Sequence, residues 1–546
     1  MPRRRQSRKR FGMGVAIIWC LLAVSMAWSS ETWQEQAKLA ASDGAAYDFF
    51  GEAVSNSGDY VIIGAPYDDD GKVDSGSAYI IFRREGIEWE QQAKLIASDA
   101  AIGDRFGYSV CISGDYAIVG APCDDDRGID SGSAYIFSRS GINWIQQAKL
   151  TIPDGAVEDF FGKAVSISGD YAIVGVPYSD ANGEASGSAY IFKRSGTSWL
   201  REAKLTPSDA NAYDEFGCSV SISGDYAIVG AIRGDKNGND CGCAYIFKRS
   251  GTTWAQQAKI VAVDAEVDDR FGCSVSIRGN FAIVGAIFND PNESNRGSAY
   301  IFRRDGANWL QQTKLIASDC DAFDEFGKSV SIDSNYAVVG AHYDDDRGGQ
   351  SGSAYIFKYD GTGWFEQTKL RASDGDSYDR FGASVSISGN YVAVGASYND
   401  DMGTNSGSAY IFFREVCPLA DLNGDCGADF RDFALFAPHW LETGCEAVYW
   451  CSGADLDHSS RIDWVDFATF ARWWRQTGCA GPGWCNGADL NHSGQVDWTD
   501  LSVVAGQWLN SGCDQRWCDG TDLNHSGEVD WYDLSIFTEY WLQWGE

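Results

Sequence analysis

The sequence is poor in the residues on which most enzyme active sites depend. Its 546 residues include five histidines, and 43 basic side chains face 77 acidic ones, for a formal net charge of −34. The shortage of histidine disfavours most His-based catalysis. The acidic balance argues against a nucleic-acid partner, because a phosphate backbone would be repelled. Gly-x-Ser-x-Gly, paired zinc-binding histidines and a phosphate-binding loop are missing too, so no catalytic or organic-cofactor-binding residue is predicted.

Long apolar segments are equally scarce, and the one candidate lies at the N-terminus. An apolar run from Met13 to Trp28 is short for a membrane span, and Ala27 and Ser29 follow in the spacing of a cleavage site. We expect residues 1–30 to be a signal peptide, with an uncleaved membrane anchor as the alternative. The protein would then be extracellular or at the cell surface, with no membrane span after signal removal. The basic residues that precede the run are Arg3, Arg4, Arg5, Arg8, Lys9 and Arg10.

One unit repeats seven times between residues 31 and 416. Each copy contains a Trp strand, Asp-x-Phe-Gly, a Ser-Val-x-Ile-Ser strand, Gly-Asp, Tyr-Ala-Ile-Val-Gly, a polar loop and Ser-Ala-Tyr-Ile-Phe, with some variation. The strands are short, β-branched or aromatic, and separated by turn residues. Four strands per unit of about 55 residues predict an all-β seven-bladed propeller. The tryptophans that mark the units are Trp33, Trp89, Trp144, Trp199, Trp254, Trp309 and Trp364.

The two ends of the array predict how the propeller closes. The Trp strand at 32–39 comes first and the Tyr-Ile-Phe strand at 408–413 comes last. If each blade begins at its Phe-Gly, the seventh blade lacks an outer strand, and the first strand can supply it. This pairing would remove both open edges.

Phe-Gly followed by Gly-Ala-Pro resembles the FG-GAP repeat of integrin α-chain propellers and their bacterial relatives. Gly-Ala-Pro is intact at Gly64 and Gly120 only. Integrin propellers hold calcium in an Asp-rich loop between the two motifs, whereas this sequence has the tight Gly114-Asp115 hairpin there. Calcium sites of the integrin kind are therefore not expected in the blades. The Phe-Gly phenylalanines are Phe50, Phe106, Phe161, Phe216, Phe271, Phe326 and Phe381.

Acidic residues recur at two other places in the blades. Asp triplets begin at Asp68, Asp124 and Asp344, and we expect solvated loops there, with loose calcium binding as the alternative. Another Asp lies two residues before every Phe-Gly, and we expect it to cap a turn through local backbone N–H groups. His342, the one histidine of the blades, is expected to be a solvated loop side chain. The seven capping residues are Asp48, Asp104, Asp159, Asp214, Asp269, Asp324 and Asp379.

A second period fills residues 417–546. Four segments begin at Asp421, Asp455, Asp489 and Asp522, and their loops follow the spacing of an EF-hand, with ligands at positions 1, 3, 5, 7, 9 and 12. Position 7 acts through its backbone carbonyl. Ser replaces Asp at position 5 of the last three loops, so weaker binding is expected there. The predicted Ca2+ ligands are Asp421, Asn423, Asp425, Gly427, Asp429, Asp432, Asp455, Asp457, Ser459, Arg461, Asp463, Asp466, Asp489, Asn491, Ser493, Gln495, Asp497, Asp500, Asp522, Asn524, Ser526, Glu528, Asp530 and Asp533.

A loop followed by one amphipathic helix, with Asp at position 12, resembles the type I dockerin domain of cellulosomal proteins. The resemblance implies a small α-helical EF-hand-like region that docks, with calcium, on a cohesin-type module. Dockerins place their cohesin-reading residues at loop positions 10 and 11, often as small hydroxyls. Here aromatics stand at position 10 of every loop, for instance Trp498 before Thr499, so the partner is open and these side chains alternatively pack between segments.

The cysteines fall into two groups. Those of the blades, including Cys241 and Cys243, are expected to be mostly small buried apolar residues. The eight in the C-terminal region favour disulfides over zinc, because their spacings lack Cys-x-x-Cys knuckles. The pairs that bracket the segment junctions are Cys445 with Cys451, Cys479 with Cys485, and Cys513 with Cys518, and Cys417 with Cys426 is a possible fourth.

Three functions fit these features. The favoured one is an exported, non-catalytic binding or scaffold protein: the propeller binds a glycan or protein, and the tail docks on a cohesin-like module. Its glycan could be a polysaccharide or a cell-surface glycan, and a link to polysaccharide breakdown is expected. The alternatives are a polysaccharide-degrading enzyme acting on O-glycosyl bonds in a cellulosome-like complex, and an adhesive surface protein. An active site should appear as a break in the blade symmetry, and the fourth blade, with Arg233, Cys241 and Cys243, differs most.

Overall fold

The computed structural model describes residues 32–83, 88–153, 155–234, 240–289 and 295–415. Within these ranges the backbone forms 28 strands in seven four-stranded antiparallel sheets, and the predicted seven-bladed propeller is confirmed. No helix in the same ranges is long and apolar enough to cross a membrane. The predicted signal peptide and the predicted calcium loops, from Asp421 to Asp533, lie outside the described ranges.

The strands follow one another in a constant order, beginning with β1 (Thr32–Leu39). Blade 1 contains β2 (Ala53–Ser57), β3 (Tyr60–Ala65), β4 (Ser77–Arg83) and β5 (Trp89–Leu95). Blade 2 contains β6 (Ser109–Ser113), β7 (Tyr116–Ala121), β8 (Ser133–Ser140) and β9 (Asn143–Leu150). Blade 3 contains β10 (Val165–Ser168), β11 (Tyr171–Val176), β12 (Ser188–Ser195) and β13 (Ser198–Leu205). Blade 4 contains β14 (Phe216–Ser223), β15 (Tyr226–Ala231), β16 (Cys243–Ser250) and β17 (Thr253–Ile260).

The remaining blades keep this order, and the last one takes its outer strand from the N-terminal end. Blade 5 contains β18 (Phe271–Arg278), β19 (Phe281–Ala286), β20 (Ser298–Asp305) and β21 (Asn308–Leu315). Blade 6 contains β22 (Ser329–Asp333), β23 (Tyr336–Ala341), β24 (Ser353–Tyr359) and β25 (Trp364–Leu370). Blade 7 contains β26 (Ser384–Ser388), β27 (Tyr391–Ala396) and β28 (Ser408–Glu415) together with β1. Its sheet order is β1-β28-β27-β26, which confirms the predicted closure.

The middle strands explain the apolar runs of the repeat. In β7, Ala117, Ile118 and Val119 are all fully buried, although successive side chains of a strand point to opposite faces. Both faces are buried because each blade packs between two others, so the strand reads as a continuous apolar run. The outer strand β9 alternates between exposed and half-buried side chains over its first half, because only one of its faces is covered there.

The Phe-Gly and Gly-Ala motifs bring neighbouring blades close together. Phe106 is fully buried, with its ring centroid 5.4 Å from that of Tyr135 in an edge-to-face arrangement. A Cβ on Gly107 would lie 2.2 Å from the carbonyl oxygen of Ser77, and one on Gly120 would lie 2.0 Å from that of Gly162. Only glycine permits these approaches, so the two motifs are packing devices of the ring of blades.

The repeated tryptophan joins each blade to the one before it. In blade 2 the indole Nε1 of Trp144 donates to Oε1 of Gln92 on β5, at 2.9 Å. The bond recurs from blade to blade, with Glu202 as the acceptor from Trp254, and Trp33 of β1 donates to Gln367 of β25 at 3.2 Å. The bond from β1 therefore fits the closed ring.

Candidate functional site

The loops of each blade leave the sheet at two opposite ends. In blade 2, residues 96–108 before β6 and residues 122–132 before β8 leave at one end, because consecutive strands are antiparallel. The hairpins β6–β7 and β8–β9 turn at the other end. Gly114, with φ of 57°, and Asp115 form the predicted two-residue turn. We call the two ends the long-loop face and the hairpin face.

On the long-loop face, the Asp triplets form ion-pair clusters. In blade 2, Nζ of Lys149 lies 2.7 Å from Asp99, 2.8 Å from Asp124 and 2.5 Å from Asp126. The hydroxyl of Tyr135 donates to Asp124 at 2.8 Å. Burial works against the Lys149 charge, but the hydrogen bonds with these carboxylates outweigh it and raise its pKa. Asp124 is only 3% exposed, so the expectation of a wholly solvated loop is wrong at this position.

Equivalent clusters occur in blades 1 and 6, around Lys94 and Lys369. In blades 2 and 6 the three carboxylates of the cluster offer oxygens within 4.8 Å of one another, which suits a hard cation such as calcium. The lysine ammonium already lies among them as their counter-charge, because one strand register brings it there in every case. A metal ion would have to displace it, so we assign these clusters a structural role.

The Asp two residues before Phe-Gly caps a turn in all seven blades, as predicted. In blade 2 the backbone N–H of Ala101 donates to Asp104 at 2.6 Å. The pKa of Asp104 is raised to about 6, mainly by burial; the backbone hydrogen bond from Ala101 opposes the increase and the nearby Asp124 adds to it. The corresponding donor–acceptor pairs are Ala45–Asp48, Ala156–Asp159, Asn211–Asp214, Glu266–Asp269, Asp321–Asp324 and Asp376–Asp379.

A second set of long-loop residues changes in combination from blade to blade. They occupy the position between Asp and Phe of Asp-x-Phe-Gly, the position after Phe-Gly, and the two positions after Gly-Ala, and the prolines, isoleucines and alanine at these positions are left out of the set. The inner strands of successive blades contact one another all the way round, so these positions encircle the propeller axis at the starts of those strands. We call the following set the mouth ring: Phe49, Glu52, Tyr67, Arg105, Tyr108, Cys123, Phe160, Lys163, Tyr178, Glu215, Cys218, Arg233, Arg270, Cys273, Phe288, Glu325, Lys328, His342, Tyr343, Arg380, Ser397 and Tyr398.

Contacts link the mouth ring across the junction where the propeller closes. The ring centroid of Phe49 lies 4.9 Å from that of Tyr398 in blade 7 and 5.1 Å from that of Tyr67 in blade 1. The guanidinium of Arg105, from blade 2, lies 5.0 Å from the Tyr67 centroid. Three aromatic rings and one guanidinium are therefore linked across three consecutive blades.

The linkage continues into blade 3. Nζ of Lys163 donates to the hydroxyl of Tyr108 at 2.5 Å and lies 4.1 Å from the centroid of its ring. Phe160 and Tyr178 are edge to face, with centroids 5.5 Å apart. Tyr178 is 38% exposed and offers an aromatic surface to solvent.

Blades 4 and 5 each contain one contact between mouth-ring residues. Nε of Arg233 lies 3.3 Å from a carboxylate oxygen of Glu215. Burial raises the pKa of Glu215, and Arg233 and Arg270 oppose the increase. The guanidinium of Arg270 lies 4.5 Å from the centroid of Phe288. The departure of blade 4 noted in the sequence is thus an ion pair within the ring.

Mouth-ring contacts also join blades 6 and 7. The guanidinium of Arg380 lies 3.7 Å from the centroid of Tyr398 and 5.2 Å from that of Tyr343. His342 stacks on Tyr343 with centroids 3.9 Å apart, and its Nε2 lies 3.8 Å from Glu325. Contacts therefore join the mouth ring from blade 6 through blades 7, 1 and 2 to blade 3, whereas in blades 4 and 5 they lie within one blade. The charge of Arg270 in blade 5 also acts on Glu215 in blade 4 and on Glu325 in blade 6.

His342 and the ring cysteines differ from expectation. His342 is 4% exposed rather than solvated, because the mouth ring packs around it, and burial lowers its pKa to about 2. Burial also raises the pKa of Cys218 to about 12 and that of Cys123 to about 11, so these thiols stay protonated at neutral pH. Cys241 and Cys243 are buried as predicted, whereas the other five blade cysteines are half-buried.

The mouth ring reverses the charge balance of the chain. It contains six basic and three acidic side chains, in a protein where acidic residues outnumber basic ones. The basic members are Arg105, Lys163, Arg233, Arg270, Lys328 and Arg380, and the acidic members are Glu52, Glu215 and Glu325.

Sequence reasoning missed the mouth ring as a unit, although its signal was available. Aligning the seven repeats shows framework positions that keep one residue type and mouth positions that do not. The Gly-Ala-Pro motif, for example, changes at its third position to Ile232 in blade 4 and to His342 in blade 6. Only the closed circle of inner strands shows that these variable positions are neighbours.

Comparison with known proteins agrees with this architecture. The profile of the FG-GAP repeat matches seven segments, which together cover more than half of the chain. No curated protein matches the chain. The matched segments are residues 33–82, 89–137, 144–192, 199–247, 254–302, 309–357 and 364–412. Each matched segment begins at a repeated tryptophan and ends at the phenylalanine of the Tyr-Ile-Phe strand. Because the seven matches together cover more than half of the chain, the chain belongs to the FG-GAP repeat family.

Proposed function

We propose that this protein is an exported binding protein whose propeller takes its ligand at the mouth ring. The observation that carries the proposal is the contrast between a framework repeated seven times and a circle of mostly aromatic and charged residues whose combination changes from blade to blade. The repeated residues already account for folding and closure. The variable residues at the mouth therefore call for another role, and recognition by loops on a rigid scaffold is the common one.

The backbone of the mouth ring supports this reasoning. The residue between Asp and Phe has a left-handed conformation in the described blades, with φ of 55° at Phe49, 56° at Arg105 and 54° at Glu215. Glycine would adopt this conformation at the least cost, yet none of the seven blades has glycine there. Large side chains are kept in a strained conformation, which is typical of functional positions.

The test uses the full oxidised chain and a panel of immobilised neutral glycans, acidic glycans and proteins. Tyr178→Ala combined with Arg380→Ala should abolish binding to whichever ligand the parent protein retains. Arg194→Ala is the matched control, because Arg194 pairs with Asp170 on the hairpin face. If the mouth variant keeps full binding and Arg194→Ala loses it, the ligand site lies on the other face.

For the C-terminal region we propose calcium-dependent docking on a cohesin-type module, as the dockerin resemblance implies. Support comes from the fourfold recurrence of EF-hand ligand spacing between Asp421 and Asp533. Calorimetric titration of the full chain should show saturable calcium binding whose tightest site is lost in Asp421→Ala. Asp124→Ala is the control, because Asp124 belongs to a blade cluster whose carboxylates already pair with Lys149. Loss of calcium binding in the control alone would place the sites in the propeller.

Membership of the FG-GAP repeat family favours an adhesive surface protein as the second candidate. In that case attachment to a surface would depend on the propeller and would persist after chelation of calcium. In the favoured case chelation releases the protein from its scaffold partner and leaves propeller binding intact. A link to polysaccharide breakdown belongs to the favoured case, since it follows from the docking partner.

A further inference from the structure

We infer that the ligand of the mouth ring is an acidic polysaccharide, whose sugar carboxylates are bound by the arginines of blades 5 to 7. This inference rests on the proposed function, because it names the ligand class of the same site. It is carried by three observations at the mouth: a local excess of basic side chains, guanidinium groups stacked on aromatic rings, and buried nitrogens without a partner.

The charge of the ring selects for an anion. The whole chain carries a formal charge of −34 and would repel polyanions, but the mouth ring gathers six basic side chains against three acidic ones. Lys328 is exposed, and Arg270 and Arg380 are half-buried beside it. Attraction at close range can therefore compete with repulsion from the rest of the surface, which salt screens beyond about 10 Å.

Stacking fixes the orientation of the guanidinium groups. Arg380 lies 3.7 Å from the Tyr398 centroid, and Arg270 lies 4.5 Å from the Phe288 centroid. A stacked guanidinium uses its flat face and keeps its N–H edge free to donate two parallel hydrogen bonds to a carboxylate. Nε of Arg380 is buried and has no hydrogen-bond partner among the described residues. One donor is thus held in place without an acceptor.

The buried histidine adds a neutral polar atom, and its ring, like the Arg380 guanidinium, lies against Tyr343. Nδ1 of His342 also has no hydrogen-bond partner within the described ranges, although the residue is 4% exposed. Its pKa of about 2, caused first by burial and then by Lys328 and Arg380, leaves the imidazole uncharged. A neutral imidazole suits a hydroxyl group, and buried polar atoms normally have a partner.

An acidic sugar matches this surface better than an acidic peptide does. A uronic acid unit has a carboxylate, hydroxyl groups and an apolar C–H face on one rigid ring, so it can use a cation, a neutral imidazole and an aromatic face together. The exposed ring of Tyr178 and the half-buried rings of Phe49 and Phe288 provide such faces. An Asp or Glu side chain brings the carboxylate alone, on a flexible stem whose ordering costs entropy.

The experiment measures binding of the full chain to a short oligogalacturonate by calorimetry at low and moderate salt. The fully methyl-esterified oligomer is the matched neutral probe, and poly-glutamate is the peptide probe. The variants are Arg380→Gln and Arg270→Gln, with Arg194→Gln on the hairpin face as control. We expect oligogalacturonate to bind, each mouth variant to weaken binding by about tenfold or more, and the control to leave it unchanged.

The outcomes separate this inference from the proposed function. Equal binding of the esterified oligomer would overturn the acidic-ligand inference, while loss of that binding in the mouth variants would uphold the proposed function. Binding of poly-glutamate without oligogalacturonate would overturn the sugar class in favour of an acidic peptide. Binding of oligogalacturonate unaffected by either mouth variant would overturn the site itself, and with it both proposals. Absence of binding to all three probes would overturn the acidic-ligand inference.

Discussion

Replacement of Lys149 is the sharpest test of how much an ion-pair cluster contributes to the stability of the propeller. Replacing it with Met removes the ammonium from three carboxylates while keeping most of the apolar stem. Asp99 and Asp126 are partly exposed, so each of those pairs contributes about 0–1 kcal/mol. Asp124 is buried, and a buried charge that loses its partner costs about 3–5 kcal/mol. Hydrogen bonds from Tyr135 and from the backbone of Asp126 remain, so we expect a loss near the lower end, about 3 kcal/mol.

Lys314 in blade 5 is the matched control. It pairs with Asp264 at 2.7 Å, but Asn289 stands where blade 2 has the buried Asp124. Lys314→Met therefore leaves a partly exposed carboxylate unpaired, and the expected cost is about 1 kcal/mol or less. Denaturant unfolding of the full chain at neutral pH measures both variants. Equal losses of unfolding free energy in the two variants would refute the claim that the buried Asp124 carboxylate is the main source of the cluster's stabilising effect.

The same variant also tests whether lysine replaces a metal in this cluster. In Lys149→Met the three carboxylates of blade 2 are free to bind a divalent cation, because their oxygens lie within 4.8 Å of one another. Added calcium should stabilise the variant more than the parent protein, since an ion that binds the folded state alone raises the free energy of unfolding. An identical calcium response in both proteins would show that the cluster does not bind the ion.

Three further predictions concern packing, pH and protonation. Gly120→Ala should prevent stable folding, because its Cβ would meet a backbone oxygen at 2.0 Å, whereas Gly114→Ala in an open turn should cost about 1 kcal/mol in denaturant unfolding. Burial raises the pKa of Asp104 from 3.8 to about 6, so the folded state holds a proton that the unfolded chain releases. The free energy of unfolding should fall as pH rises through this window, and Asp104→Asn should remove that part of the slope. The imidazole of His342 should show no titration between pH 4 and 8 by NMR, and a midpoint near 6 would contradict its burial.

The repeats made most of the propeller predictable. Seven copies of each strand, with Gly-Asp between the inner two, define blade number, turn type and the closure by β1. The caps were predictable for the same reason, because an Asp required seven times must serve the framework. What failed was burial in the loops: Asp124 and His342 are covered by residues distant in sequence. Lys149 lies 25 residues after Asp124, and its place in the cluster depends on strand register.

The mouth ring was harder to predict because its members are about 55 residues apart and share no motif. When two repeats are compared, a difference at one of these positions looks like a neutral substitution. Phe49 in blade 1 and Arg105 in blade 2 are an example. Closure of the ring of blades makes these variable positions neighbours. Their side chains then form one surface with a net positive charge.

The architecture separates the residues that hold the fold from those that can meet a ligand. Trp144, Phe106 and Gly120 make contacts between blades that every blade repeats, so changes there disturb packing around the ring. Mouth residues such as Tyr178 and Lys328 are exposed, so their side chains can change at little cost to stability. A ligand site built from such positions can acquire its own charge and chemistry while the scaffold stays the same. The basic ring in an acidic protein fits that arrangement, because nothing in the packing of the blades requires positive charge at the mouth.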